Sequence, residues 1–393
     1  MTYRPPRVAL LIETSRSYGR GVLHGVARYS RLHGPWSFML TPGDLQQATP
    51  PMSDWRIDGI IARAPNSEAA TTLVEMGLPI IFLDYPIAEI NCPPEKKRFC
   101  VELISDSVGA SRMAAKYLLE KKLTQFAYVG YPSKPWSVKR EEVFCAEVKA
   151  AGYETSVYSP PLRLGRLIRW EKEKLYMREW LKSLRKPVGV LACNDQRGRE
   201  LLAACEAEGI PSPEQVVVIG GDADELLCEL CSPPLTSVAL NAEKGGYLAA
   251  KTLDLMMKGE EPPQRQIYVE PVNVVERRST DVIFVEDEDV AEALRLIHTS
   301  RLETLTVERI ARAIPISRRQ LEVKFRKYHG KTMLEELQIA RIERAKQMLR
   351  ETDASMDRVA ETIGFSATSY FLQTFRRRVG ISPSKYRQEI RGE

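Results

Sequence analysis

The sequence lacks the features that would place it in a membrane, in an oxidising compartment or around a metal. No stretch of its 393 residues approaches the roughly 18–20 apolar residues that a membrane-spanning helix needs. Met1 to Pro6 is polar, and the apolar run Val8–Ile12 is too short for the apolar region of a secretory leader. A cytoplasmic protein with no membrane partner is expected. Histidine is scarce: His24, His33, His298 and His329 form no ligand-spaced cluster. The seven cysteines (Cys92, Cys100, Cys145, Cys193, Cys205, Cys228 and Cys231) are scattered, and an odd count without a leader argues against a disulfide framework. Cys228 and Cys231 form a single CxxC with no second pair or histidine nearby, so they read as structural rather than as zinc ligands. There is no nucleophile elbow and no phosphate-binding glycine loop; Gly220-Gly221 after an apolar run is too little. Neither an enzyme nor a cofactor is expected.

What is present is the composition of a globular protein, 44% hydrophobic and 28% charged, with length for two or three domains. Charge is unevenly distributed. Residues 295–393 hold 21 Lys and Arg against 12 Asp and Glu, and the first 294 hold the remaining 36 against 40. A basic terminal quarter on an acidic body suggests a nucleic-acid-binding end.

From residue 7 to about 260, short apolar runs alternate with helical stretches. Strands are expected at Val8–Glu13, Ser37–Leu40, Gly59–Ala62, Ile80–Leu83, Phe126–Gly130, Gly189–Cys193 and Val216–Gly220. Continuous apolar runs suit strands covered on both faces. Helices are expected at Ser107–Lys121, Gln196–Glu208 and Glu243–Met257. This rhythm predicts doubly wound parallel sheets in two units, about 7–106 and 107–235. Thr236–Asn241 would cross between them, and the strands near 266–275 would return to the first. Trp36, Trp55, Trp170 and Trp180 read as packing residues. The acidic run Glu286–Asp289 reads as a linker or helix start, not a metal site.

After about 290 no strand-like run remains, and the two prolines, Pro315 and Pro383, sit at boundaries, so the end is all-helical. It contains two similar blocks about 49 residues apart. One is Val307–Ala313, a turn at Ile314–Ile316, then Ser317–Lys327. The other is Met356–Ile363, a turn at Gly364–Ser366, then Ala367–Arg377. A short helix with apolar residues one turn apart, small residues for close approach (Ala311, Ala360), a tight turn and a second helix burying an i, i+4 pair (Leu321 and Phe325; Phe371 and Phe375) make a helix-turn-helix. Ser317 suits the cap of the first recognition helix. The helical Leu334–Arg350 joins the blocks.

This end resembles the AraC-type DNA-binding domain, most closely in Ile363-Gly364-Phe365, Tyr370-Phe371, Phe375-Arg376 and Gly380 through Arg387. The resemblance implies two recognition helices in successive major grooves, with Arg318, Arg319 and Glu322 reading bases in the first unit and Thr368, Ser369 and Gln373 in the second. Arg326, Lys327, Arg376 and Arg377 would contact phosphate. Pro315 departs from the family's pattern, where a glycine is more usual in that turn.

The N-terminal region resembles the LacI/GalR-type effector domain and the related periplasmic sugar-binding proteins, through Ser105-Asp106, Phe126–Gly130, Cys193-Asn194-Asp195 and Val218–Asp222. Ligands of doubly wound lobes sit beyond the carboxyl ends of strands. That rule, with the needs of sugar chemistry (carboxylates for hydroxyls, arginine for oxygens, an aromatic face), selects Asp195, Asp222, Arg140, Trp136, Tyr18, Arg20 and Asp106. The lobes alone would also suit a transport-type binding protein, but the missing leader and the helical end do not. The pairing of such lobes with an AraC-type end resembles the xylose operon regulators along the whole chain. It implies a sensor at 1–280, a linker at 281–290 and a DNA-binding domain at 291–393. It further implies a homodimeric activator that binds an operator in double-stranded DNA, responds to D-xylose and works with RNA polymerase. A different sugar, or repression, remains open.

Overall fold

The chain is described here from a computed structural model, which places residues 4–40, 56–160, 162–163, 166–167, 170–282 and 287–391. It groups into two compact units, residues 1–282 and 283–393.

Within the first unit the central apolar runs become strands because their side chains are buried on both faces, whereas the edge run at Ser37–Leu40 leaves Phe38 and Leu40 exposed. The first strands are β1 (Arg7–Leu11), β2 (Ser37–Leu40), β3 (Gly59–Ala62), β4 (Ile80–Leu83) and β5 (Cys100–Ser105), with α1 (Ser17–His33) and α2 (Ser67–Glu75) between them. The chain continues through α3 (Ser107–Glu120), β6 (Phe126–Val129), α4 (Pro135–Ala150) and β7 (Thr155–Tyr158). A small hairpin follows, β8 (Leu162–Arg163) and β9 (Arg166–Leu167). Then come α5 (Trp170–Ser183), β10 (Val188–Ala192), α6 (Asp195–Ala207), β11 (Val216–Gly221), α7 (Glu225–Glu229), β12 (Thr236–Leu240), α8 (Ala242–Met257), β13 (Gln266–Val269) and β14 (Pro271–Val275). The strands form two six-stranded sheets, β13-β5-β4-β3-β1-β2 and β14-β12-β11-β10-β6-β7, parallel except where β14 meets β12. Helices cover both faces, so the unit is two doubly wound lobes, as the rhythm predicts.

The return to the first lobe differs from expectation. Only β13 pairs with β5; β14 crosses back to the second sheet. An antiparallel edge strand needs only one partner, and β14 buries little, in keeping with its weak apolar pattern. The chain thus passes between lobes three times, after Ser105, after Leu240 and after Val269. Five strands lie outside the expected set: β5, β7, the β8 and β9 hairpin, and β12, which forms in the stretch expected as a crossover and joins the second sheet before the chain crosses. β5 is interrupted by Glu102, whose carboxylate accepts from Ile87 N (2.7 Å) and Gln266 Nε2 (3.0 Å). β7 is a half-polar edge strand. Trp36 and Trp180 pack against the cores of the first and second lobes. Trp55 and the side chain of Trp170 lie outside the described residues.

α1 and α8 pack unusually close. A methyl group at Gly25 would stand 2.0 Å from Glu243 O, and one at Gly246 would stand 2.0 Å from Val22 O.

The second unit is helical: α9 (Glu288–Thr299), α10 (Val307–Ala313), α11 (Arg318–His329), α12 (Met333–Glu351), α13 (Met356–Thr362), α14 (Thr368–Val379) and α15 (Pro383–Arg391). α9 begins inside the stretch expected as linker, capped by Asp287. α11 and α14 both end on a left-handed glycine, Gly330 and Gly380. Among the described residues, no helix is long and apolar enough to cross a membrane.

Gly25→Ala should lower the urea midpoint of unfolding of the first unit, with a loss of about 1–3 kcal/mol or more, because the two helix backbones have to separate.

Candidate effector cleft and DNA-reading surface

Parallel strands deliver their following residues to one edge of each sheet. In the first lobe this places Glu13 after β1, Arg63 after β3 and Asp84 after β4. Arg63 donates Nη1 to Glu13 Oε1 and Nη2 to Asp84 Oδ2, both at 2.7 Å. Its guanidinium lies 5.1 Å from the centre of the Tyr18 ring. The other oxygen of Asp84 accepts from Ser105 N (2.7 Å) at the first lobe crossing.

The second lobe contributes Arg140 from α4 and Asp222 after β11. Arg140 is buried, donates to Cys193 O and to Asp222 Oδ1 (3.4 Å), and lies 5.2 Å from the Trp136 ring centre. Asp222 and Ala223 both adopt left-handed backbone, with φ of +95° and +49°. Strained backbone in a non-glycine pair is held only where its surroundings over-determine it. The fields of the two lobes overlap: Tyr18 feels Asp84 and Arg63 from its own lobe and Asp222 and Arg140 from the other. Burial first, then Asp84, pushes the Tyr18 hydroxyl well above its ordinary range. Four buried polar atoms here, Glu13 Oε2, Tyr18 Oη, Arg63 Nε and Arg140 Nε, have no hydrogen-bond partner among the described residues. Buried polar groups without partners are rare, so this cleft is prepared for an occupant rich in donors and acceptors. Beside it a cavity of about 260 Å³ reaches from Ser17 and Tyr18 to Asp222 and Asn241.

Asp195 lies one layer below. It is buried in the first turn of α6, with Asn194 rather than itself as the cap. Oδ1 accepts from Ser237 Oγ (2.5 Å) and Oδ2 from Asp224 N (2.7 Å). Burial, followed by the charge of Asp222, lifts its carboxyl to about 8. Asp224 links the lobes: its Oδ2 accepts from Ser17 N (2.8 Å) and Arg20 Nη2 (3.1 Å).

Of the residues singled out from sequence, Tyr18, Arg140, Trp136 and Asp222 are thus gathered at one place and Asp195 supports them from beneath. Arg20 stands at the rim, paired to Asp224. Asp106 turns to its own helix and caps α3 through Gly109 N (2.9 Å). Sequence reading missed Glu13, Arg63, Asp84, Asp224 and Ser237. The first three end apolar strands just as Asp222 does, so the strand-end rule was sufficient to find them.

On the second unit, Arg318, Arg319, Glu322, Arg326 and Lys327 of α11 are exposed, as are Ser369, Gln373, Arg376 and Arg377 of α14; Thr368 is half-buried. Leu321, Phe325, Phe371 and Phe375 point inward. Ser317 and Gln320 complete a capping box on α11, whereas Ala367 supplies no side-chain cap to α14. The two units repeat one contact. The second residue of the short helix reaches the first residue of the recognition helix: Glu308 accepts from Arg318 Nη1 (2.9 Å), and Asp357 accepts from Thr368 Oγ1 (2.6 Å). Arg318 also pairs with Glu322 (2.8 Å). Their turns differ. Ile314, preceding Pro315, is extended (φ −111°, ψ 134°), as the residue before a proline prefers, whereas the second turn uses left-handed Gly364.

The raised Asp195 carboxyl has a thermodynamic consequence. The folded state keeps a proton that the unfolded chain gives up near its ordinary value of 3.8. Stability from this group is therefore full at low pH and is lost as pH rises toward about 8. Asp195→Asn, which keeps an acceptor and cannot titrate, should flatten the slope of the urea midpoint against pH across that window; an unchanged slope would assign the proton elsewhere.

Comparison with known proteins places the fold and its two-part organisation in a family. Family models match residues 7–94 (XylR N-terminal domain), 115–280 (periplasmic binding protein-like domain) and 310–389 (helix-turn-helix domain). The chain is 30% identical to the xylose operon regulatory protein of Escherichia coli (strain K12), over 97% of this chain and 96% of that one. It is 28% identical to the protein of that name from Haemophilus influenzae, over 98% and 99%. The solved structure of the xylose-binding transcription activator xylR superposes with a TM-score of 0.81 at 30% identity, covering 99% of both chains. The transcription regulator CcpA of Lactococcus lactis shares the fold of the sensor (TM-score 0.57, 18% identity, 71% of this chain and 100% of that one). The chain belongs to the family of xylose operon regulatory proteins: a DNA-binding transcription regulator with a sugar-binding sensor.

Proposed function

We propose that this regulator is a cytoplasmic, homodimeric activator whose effector is D-xylose, bound between the lobes. In this reading the sensor is 1–280, the linker 281–290 and the DNA-binding domain 291–393, and the protein acts on RNA polymerase and is not an enzyme. One observation carries the effector site: buried polar atoms of Glu13, Tyr18 and Arg63 from one lobe and Arg140 from the other have no hydrogen-bond partner among the described residues. Carboxylates at Glu13, Asp84 and Asp222 accept from vicinal hydroxyls, Arg63 and Arg140 donate to sugar oxygens, and the Trp136 face suits the C–H side. Tyr18 donates or accepts at the same place. A sugar touching both lobes favours their closed arrangement by its difference in affinity for the two states. Asp195 and Asp224 pass that closure to Ser17 and Arg20, with Asp106 at the hinge. At the DNA, Arg318, Arg319, Glu322, Thr368, Ser369 and Gln373 read bases, and Arg326, Lys327, Arg376 and Arg377 hold phosphates.

Calorimetric titration with D-xylose, against L-arabinose, D-ribose and D-glucose, tests the effector. Saturable heat with D-xylose alone is expected, and Asp222→Asn should weaken it roughly 10- to 100-fold, the loss of a charged acceptor. No heat with D-xylose would remove that assignment and leave DNA binding intact. On a duplex selected from random sequence, Arg319→Ala should cost about 1–3 kcal/mol and relax preference at one position. Arg377→Ala should weaken all sequences alike and lower the salt slope by about 1. Mobility-shift titrations at several salt concentrations separate the two outcomes.

A further inference from the structure

The two helix-turn-helix units do not share one apolar core. Leu321, Phe325, Met333 and Leu337 belong to one cluster; Ile342, Leu349, Phe371 and Phe375 belong to another. α12 serves both, and between its two apolar stretches it carries polar side chains that a simple connecting helix would not need.

Gln338 is buried. Its Nε2 donates to Tyr370 Oη (2.9 Å), and its Oε1 accepts from Arg378 Nη2 (3.2 Å). Tyr370 lies in the first turn of α14 and Arg378 near its end, about 12 Å apart along the axis. One amide is therefore bonded to both ends of the second recognition helix. Arg341, three residues on and on the same side of α12, donates Nη2 to Leu302 O (3.4 Å) and Leu305 O (2.9 Å), in the segment between α9 and α10. Its guanidinium also lies 5.6 Å from the ring centre of Phe365, in the second unit's turn. Beside it, Gly364 (φ +82°) meets the α9–α10 segment so closely that a methyl group there would stand 2.2 Å from Leu302 O. Toward the first recognition helix, buried Glu336 accepts from His329 Nε2 (2.8 Å), the last residue of α11, and pairs with His298 of α9 (3.3 Å). Glu336, Gln338 and Arg341 thus fix α11, the α9–α10 segment and α14 to one stretch of one helix.

Hydrogen bonds to fixed partners specify orientation, which apolar contacts alone do not. We infer that Gln338 and Arg341 are positioning residues that set the interval between α11 and α14, so that the protein reads two half-sites at one fixed separation. This rests on the reading that both recognition helices enter DNA. Successive major grooves lie about 34–36 Å apart, and one added base pair both lengthens and rotates that interval.

The test uses the full-length protein and a duplex selected from random sequence, rebuilt with its two half-sites moved by one or two base pairs. For the unaltered protein, a shift of one base pair should cost roughly tenfold or more in affinity. Gln338→Leu and Arg341→Met should bind the best-spaced duplex several-fold more weakly and shrink the one-base-pair penalty to about twofold. A duplex holding the first half-site alone should bind all of them equally. Tyr370→Phe removes the same bond from an exposed position and should give the same flattened profile even if Gln338→Leu fails to fold. Gln338→Glu, whose carboxylate accepts from both partners, should restore the unaltered profile. A sharp profile retained by Tyr370→Phe and Arg341→Met would overturn the inference while leaving two-groove binding in place. An unaltered protein that selects only a single half-site would overturn both.

Discussion

Charge burial governs the sensor. Among the described residues, Glu13, Asp84, Asp195 and Asp222 stand against two guanidiniums, Arg63 and Arg140, with Glu13, Asp195 and Arg140 buried and the others largely screened from water. Four ionised carboxylates there would leave a net negative site, at a cost that an isolated buried charge cannot meet. Arg63 relieves part of this by bridging two carboxylates, and Arg140 part by holding Asp222. Burial and the charge of Asp222 raise the Asp195 carboxyl, and a proton held there removes one further negative charge. One negative charge remains, which an anionic ligand would compound; a neutral polyol gives donors to the carboxylates and acceptors to the arginines without adding charge.

The same electrostatics join the lobes. α1 has no side chain capping its own N-terminus; the N–H of Ser17 is satisfied by Asp224 from the opposite lobe. An uncapped helix end loses about 1 kcal/mol, so this bond favours the lobes together before any ligand enters. Asp224 is held in turn by Asp195 through its own N–H, and its Oδ1 caps α7. Two of the three crossings between lobes are likewise fixed by caps, Asp106 on α3 and Asn241 on α8.

Most of the architecture was legible because buried parallel strands and helix-turn-helix blocks announce themselves in apolar runs and spacing. β5 was not, since Glu102 breaks its run, and β14, expected as a strand, was assigned to the wrong sheet because an edge strand that buries little carries no signal of its partner. Within the site, Asp222 and Arg140 were readable from strand ends and the resemblance, yet Glu13, Arg63 and Asp84 were overlooked although they obey the same rule. Asp224 was illegible for a different reason. Its partners lie 207 residues away, at Ser17, and 204 away, at Arg20. Nothing local in the sequence encodes such a meeting. Gln338 was hidden in the same manner, a polar residue in a helix that reads simply as amphipathic.

These two sets of polar contacts divide the work of regulation. In the sensor they lie across a cleft between bodies joined by three short crossings, so an occupant can change how well they are satisfied. In the DNA-binding unit they lie along a single continuous helix, with both recognition helices tied to it. An effector signal therefore has little to act on between α11 and α14. If ligand changes transcription, these ties leave it to act on where the whole DNA-binding unit is held rather than on the interval within it. On the proposed positioning role of Gln338 and Arg341, movement of the DNA-binding unit would carry α11 and α14 together rather than being absorbed between them.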